Sequence, residues 1–166
     1  MPLKQLVPGS SPGEGTVYME EKRSIEEKAY AIYQVSLKAL IRKGDDFLFL
    51  RTPKRKLFDL PGGRIDEVEG RVPIYKIIER EVAEELGDKL KYKLGKLAFQ
   101  FRRDSKKHPP VFIAVYEAEY LSGEPQLSNE HSGYQWINPK KDDLKMEEFF
   151  DEEEYLAFRT YFNNLA

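Results

Sequence analysis

The amino-acid sequence predicts a single-domain α/β sandwich. Two observations carry that expectation. Strand-like runs bracket two helix-like runs, which suggests helices packed against one sheet. The 166 residues hold no internal repeat and no second region of core composition, and that length suits one hydrophobic core.

Residues 1–15 are rich in Pro, Gly and Ser, and residues 20–28 are highly charged with Ile25 alone apolar. Residues 1–30 are therefore read as an N-terminal arm, flexible or engaged in dimerisation, and 31–166 as the folded domain. Tyr33 to Arg42 alternates as a strand does, with Val35, Leu37, Ala39 and Ile41 on one face. Lys43-Gly44-Asp45-Asp46 is a turn, and Phe47 to Arg51 is the returning strand of a hairpin. A basic loop, Pro53 to Lys56, precedes Leu57 to Leu60 and the Pro61-Gly62-Gly63 turn.

A helix follows, with Pro73 in its first turn and Gly87 as its C-cap. Beyond it, Lys91 to Phe101 has patchy strand character, and Arg102 to Pro110 is a second basic loop. Val111 to Leu121 is the most strand-like run of all, and Tyr134 to Ile137 forms a last short strand. Glu147 to Leu165 reads as an amphipathic helix that packs Phe149, Phe150, Leu156, Phe158, Tyr161, Phe162 and Leu165.

Composition excludes several classes of function. The net charge of −2 gives the chain no general attraction to nucleic acid or acidic membranes. With no cysteine, it has no disulfide, zinc thiolate or cysteine nucleophile. No apolar run suits a membrane span, and no signal-peptide core is visible, so the expected location is cytoplasmic.

The chemistry is concentrated in the first helix. Glu81, Glu84 and Glu85 stand at i, i+3 and i+4 and share a face. At about 100° per residue from Ile74, the apolar positions Ile74, Tyr75, Ile78, Val82 and Leu86 cover roughly 0° to 120°. The glutamates cover roughly 280° to 20° on the same wheel, so they flank the buried stripe instead of facing away from it. Like charges at a core edge need a counter-charge. An all-oxygen set suits Mg²⁺ or Mn²⁺ better than zinc, and the expected companion of such an ion is a phosphate.

Together these residues resemble the Nudix box, whose pattern is Gly, five residues, Glu, seven residues, then Arg-Glu-apolar-any-Glu-Glu-any-Gly-apolar. Gly63 and Glu69 keep the first spacing, and Arg80, Glu81, Val82, Glu84, Glu85 and Gly87 keep the second half. Ten residues separate Glu69 from Arg80, three more than the pattern has, and Asp88 takes the last apolar position. The resemblance implies a mixed sheet between helices and a hydrolase of nucleoside diphosphates linked to another group. It further implies Glu81, Glu84 and Glu85 as ligands of Mg²⁺ (or Mn²⁺). Glu69 would bind metal or assist water, and Arg80 would orient a box glutamate. The base that takes the water proton would be a box glutamate such as Glu84 or Glu85, or Glu130 in the loop before the last strand.

Gly62 and Gly63 would place the box close to substrate. Phe58 is a candidate for substrate contact, and Arg51, with Lys54, Arg55 and Lys56, for the outer phosphates. His131 is read as a loop hydrogen-bonder or a substrate contact. Arg102, Arg103, Lys106 and Lys107 form the second basic patch. The substrate is expected to be a nucleoside or deoxynucleoside triphosphate, with ADP-ribose or another nucleotide sugar as the second reading. A non-catalytic nucleotide-sensing domain is the alternative of another class. Neither nucleic acid nor membrane is expected as a partner, and the arm leaves a homodimer open.

Overall fold

The structure, a computed structural model, describes residues 29–104 and 109–165. The expected arm lies almost wholly outside the described residues, and so do Lys106 and Lys107. Within the compact unit Ile32–Ala166, the chain runs β1 (Gln34–Lys43), β2 (Asp46–Arg51), β3 (Phe58–Asp59), β4 (Gly62–Arg64), α1 (Ile74–Leu86), β5 (Lys91–Arg103), β6 (Val111–Ser122), β7 (Gly133–Ile137) and α2 (Glu152–Asn163). Single 3₁₀ turns occupy Glu67–Glu69 and Met146–Glu148.

All seven strands join one sheet. Its main path is β3-β2-β1-β6-β5, with β4 paired to β1 and β7 to β2. The β1–β6 pair is parallel and the other pairs are antiparallel, so the sheet is mixed. Strand β1 shows how the sequence produces two layers. Leu37, Ala39 and Ile41 face α1 and pack with Leu48, Leu50, Ile77, Ile78, Val82 and Leu86. Leu40 faces the other way, into an aromatic core of Phe47, Phe49, Phe58, Phe101, Phe149, Phe158 and Phe162 on the α2 side. Successive side chains of a strand point to opposite faces, so one central strand serves both cores. Among the described residues, no helix is long and apolar enough to cross a membrane.

Five expectations need correction. The C-terminal helix starts at Glu152, not Glu147: Asp151 is extended and its carboxylate accepts from the Glu154 N–H, a cap that fixes the start. Arg102 and Arg103 pair with Phe112 and Val111, so they end β5 and do not belong to a loop. Val35 is exposed, unlike the other three residues of its face. Ile74 and Tyr75 are also exposed, while Ile77 is buried. The buried arc of α1 is thereby centred nearer the glutamates than the apolar pattern suggests. Pro73 directly precedes the helix instead of lying within it.

Candidate active site

The turn between β3 and β4 is held against α1 by its two glycines. Gly62 has φ +127°, and a Cβ there would collide with the Leu37 carbonyl and the Lys38 Cα. A Cβ on Gly63 would overlap the Glu81 carboxylate. Only glycines permit this backbone with the strand on one side and a glutamate on the other. The Gly62 N–H donates to Glu85 Oε2 at 2.7 Å.

The three helix glutamates lie in different environments. Glu85 is 5% exposed, inside the buried stripe of α1 and not merely beside it. Burial pushes its carboxyl up to about 7, against the opposing pull of Lys38, the Gly62 N–H and His131. The Glu81 side chain is largely buried, whereas that of Glu84 is 58% exposed. Arg80 gathers the outer carboxylates. Its guanidinium donates to Glu69 Oε1 (2.8 Å), Glu81 Oε1 (2.8 Å) and Glu84 Oε2 (2.9 Å). Burial opposes the Arg80 charge, but these three hydrogen bonds outweigh it and hold the group still more firmly protonated than usual.

Glu69 reaches this group through Arg80. Directly after the 3₁₀ turn Glu67–Glu69 the chain stays local, with a bond from the Val72 N–H to the Glu69 carbonyl at 2.8 Å. Glu69 also accepts from the Asp66 N–H at 3.1 Å. That backbone bond and the Arg80 side chain hold its carboxyl below the usual range.

Beneath Glu85 lies a buried ionic cluster. Lys38, 8% exposed in the middle of β1, donates to the carbonyls of Leu60 (2.9 Å) and Gly62 (2.7 Å) and pairs with Asp59 Oδ1 (3.2 Å). Burial alone would raise Asp59, but Lys38, His131, Arg103 and the Leu60 N–H together hold it far below the usual carboxylate range. His131 Nε2 stands 3.8 Å from Asp59 Oδ2 and 4.0 Å from Glu85 Oε1. Its Nδ1 is buried with no hydrogen-bond partner among the described residues.

The loop carrying His131 is tied to the site at both ends. The Gln126 and Ser128 N–H groups donate to the carbonyls of Leu86 and Glu85, and the Ser132 N–H to that of Arg51. In this loop the histidine faces the glutamates. Glu130 is exposed, and no hydrogen bond or ion pair links it to the cluster among the described residues.

Two further sequence candidates have structural occupations. Phe58 is 2% exposed, packed on Phe49 and Phe149, with the Arg51 guanidinium 3.7 Å from its ring centroid. No face of the ring is open to a substrate, so the expected contact gives way to core packing. Arg51 is likewise engaged with Gln135, the Lys56 carbonyl and Glu148. That leaves it fewer free donors for outer phosphates than its place in a basic loop suggests. Lys54, Arg55 and Lys56 remain exposed, as does Arg64 beside Gly63.

Sequence reasoning missed Lys38 and Asp59. The signal was present, since a lysine interrupts the apolar run Leu37-Lys38-Ala39-Leu40-Ile41. A charge in the middle of a central strand implies a buried partner.

The residues present fit a hard divalent cation by their chemistry. The donors are carboxylate oxygens, the set such ions prefer, and they are already gathered round one cationic group. In the described structure that group is Arg80, and no cluster of three acidic or histidine side chains stands at metal-binding distance among the described residues.

Comparison with known proteins bears on the family and the fold. The family profile described as NUDIX domain matches residues 33–157. Three solved structures share the fold. The MutT protein from Methanosarcina mazei Go1 is 26% identical, with 82% of this chain and 94% of that one covered and a TM-score of 0.62. A UDP-X diphosphatase is 19% identical, with 86% and 69% covered and a TM-score of 0.60. An ADP-ribose pyrophosphatase from Streptococcus suis 89-1591 is 20% identical, with 80% and 91% covered and a TM-score of 0.57. A search of curated proteins returned no match.

Proposed function

The chain belongs to the Nudix family, as a pyrophosphohydrolase, and on that premise we propose that it cleaves a diphosphate linkage in a nucleotide with the help of Mg²⁺ or Mn²⁺. The observation that carries the proposal is the convergence of Glu69, Glu81 and Glu84 on Arg80, beside Glu85 and the Gly62-Gly63 turn.

Glu81, Glu84 and Glu85, with Glu69, would hold the cation. When bound, the ion offsets the charge of the diphosphate and of the leaving group and makes water a stronger acid. The chain's own residues prepare for this. Arg80 keeps the carboxylates from repelling one another and fixes their rotamers. The Gly62 N–H holds one oxygen of Glu85. Glu84 is the most exposed of the three helix glutamates and is the group we assign to take the water proton. Glu130 is the weaker candidate, because no hydrogen bond or ion pair links it to the cluster among the described residues. The exposed Arg64, Lys54, Arg55 and Lys56 are the groups that would meet outer phosphates.

A nucleoside or deoxynucleoside triphosphate is the first substrate reading, and a nucleotide sugar such as ADP-ribose the second. Among the similar structures are a MutT protein, a UDP-X diphosphatase and an ADP-ribose pyrophosphatase. Two of these three relatives cleave diphosphate linkages by name, which supports the reaction class. The test is phosphate release from a panel of nucleoside triphosphates, nucleotide sugars and dinucleoside polyphosphates, with Mg²⁺ and with Mn²⁺. Coupled inorganic pyrophosphatase reveals pyrophosphate released from triphosphates, and a coupled phosphatase reveals the terminal phosphates of products from nucleotide sugars and dinucleoside polyphosphates. Fastest cleavage of a triphosphate is expected. Fastest cleavage of ADP-ribose replaces the first substrate reading with the second. Binding without cleavage of any member moves the assignment to a nucleotide-sensing domain.

A further inference from the structure

Lys38 has no place in the chemistry described so far, yet it is among the most enclosed charges in the molecule. It stands in the central strand of the sheet, between β4 and β6. An apolar residue at that position would avoid the cost of burying an ammonium group. An ammonium carries three N–H donors, and the partners here number three: the Leu60 carbonyl, the Gly62 carbonyl and Asp59. None of these donors is left for a substrate. The group spans the turn from its entry, Asp59-Leu60, to its tightest point, Gly62.

Gly62 is also the backbone partner of Lys38 in the β1–β4 pairing. Its carbonyl therefore accepts from Lys38 while its N–H donates to Glu85 Oε2 at 2.7 Å. One peptide unit on each side of a single glycine links the lysine to the glutamate. The turn holds two adjacent glycines, the least restrained backbone available, so its shape depends on such anchors. Glu85 Oε1 carries no hydrogen bond among the described residues, His131 being 4.0 Å away.

We propose that Lys38 is a positioning residue for the cation site. It fixes Leu60 and Gly62 so that the Gly62 N–H holds one oxygen of Glu85 and the other remains available to a divalent cation. The proposal rests on the reading of Glu85 as a cation ligand. A merely structural role is the competing account, in which Lys38 only balances the buried charge of Asp59.

The test is Mn²⁺ affinity without substrate, followed by electron paramagnetic resonance of free Mn²⁺, alongside thermal unfolding. Wild type is compared with Lys38→Met and with the double variant Lys38→Met/Asp59→Asn. The double variant removes both charges, so that no unpaired Asp59 obscures the result. Outer-shell partners of metal ligands typically contribute 10–100-fold in metal affinity, and we expect a weakening of about that size in both variants. The double variant is expected to recover melting temperature relative to Lys38→Met without recovering Mn²⁺ affinity. Wild-type Mn²⁺ affinity in the double variant, or in a folded Lys38→Met, overturns the proposal alone. A wild-type protein that binds no Mn²⁺ overturns the cation-site reading, and the proposal with it.

Discussion

Replacing Gly62 by Ala tests the architecture of the turn, because two separate costs fall on one methyl group. At φ +127° an alanine occupies backbone space that side chains of L-residues rarely adopt, a strain of about 1–3 kcal/mol. The added Cβ also collides with the Leu37 carbonyl and the Lys38 Cα. Neither is the free end of a side chain. Relief requires the backbone of β1 or of the turn to move, at an overpacking cost of about 1–3 kcal/mol. The sum, roughly 2–6 kcal/mol, corresponds to a fall in melting temperature of roughly 5–20 °C for a domain of this size.

Gly44 supplies the control. Its φ is +64°, and nothing lies within 4 Å of a Cβ placed there. Gly44→Ala therefore carries backbone strain alone, about 1–2 kcal/mol. Urea unfolding followed by circular dichroism measures both variants. Equal destabilisation by the two substitutions would falsify the claim that Gly62 is wedged against β1, because only Gly62 has a backbone neighbour to displace.

Three further outcomes are expected. Glu154→Ala leaves Arg103 without its 2.7 Å partner in a largely buried position and should cost about 3–5 kcal/mol; a loss below 1 kcal/mol in urea unfolding contradicts that reading. Stability should also depend on pH through Glu85 and Glu154, both pushed up by burial to about 7 from an ordinary 4.5. The folded chain then binds more protons than the unfolded chain between those values. Their contribution is fully present below about 4.5 and is lost as pH rises through about 7. The check is melting temperature against pH for wild type and Glu154→Gln, whose slope should be shallower; identical slopes remove Glu154 from the account. Finally, Phe58→Ala should destabilise by about 3–5 kcal/mol through the emptied aromatic core. A stable variant with an altered substrate KM instead returns Phe58 to the binding site.

The parts of the fold that repeat a period were legible from the chain. The β1–β2 hairpin, β6 and α1 follow local alternation or helical spacing, and the structure contains each of them close to its expected bounds. Local pattern failed where a tertiary contact decides. Ile74 and Tyr75 fit the apolar stripe of α1, but they sit in its first turn, where no sheet covers them, so Ile77 is buried in their place. Phe149 and Phe150 looked helical by composition. The Asp151 cap makes them the loop that leads into α2.

The candidate site divides in the same way. The carboxylates and glycines share one continuous motif, and the structure brings Glu69, Glu81, Glu84 and Glu85 close to Arg80 and the turn. Lys38, Asp59 and His131 come from two strands and a distant loop. No spacing rule joins them, and only the lysine in an apolar strand hinted at a buried charge. Glu130 and His131 are neighbours in sequence, and the way the loop is anchored determines which of them turns inward.

The central claim is that the glutamates around Arg80 would hold a divalent cation for the hydrolysis of a diphosphate linkage. The most direct measurement compares the Mg²⁺-dependent rate of wild type with that of Glu84→Gln on the best substrate of the panel, together with unfolding of both proteins. Glu84 is exposed and its pair with Arg80 lies at the surface, so stability should change by only about 0–1 kcal/mol. Loss of a positioned general base typically costs on the order of 10²–10⁴ in rate. The account predicts a drop at least that large in a protein as stable as wild type. A Glu84→Gln protein that turns over at the wild-type rate contradicts it.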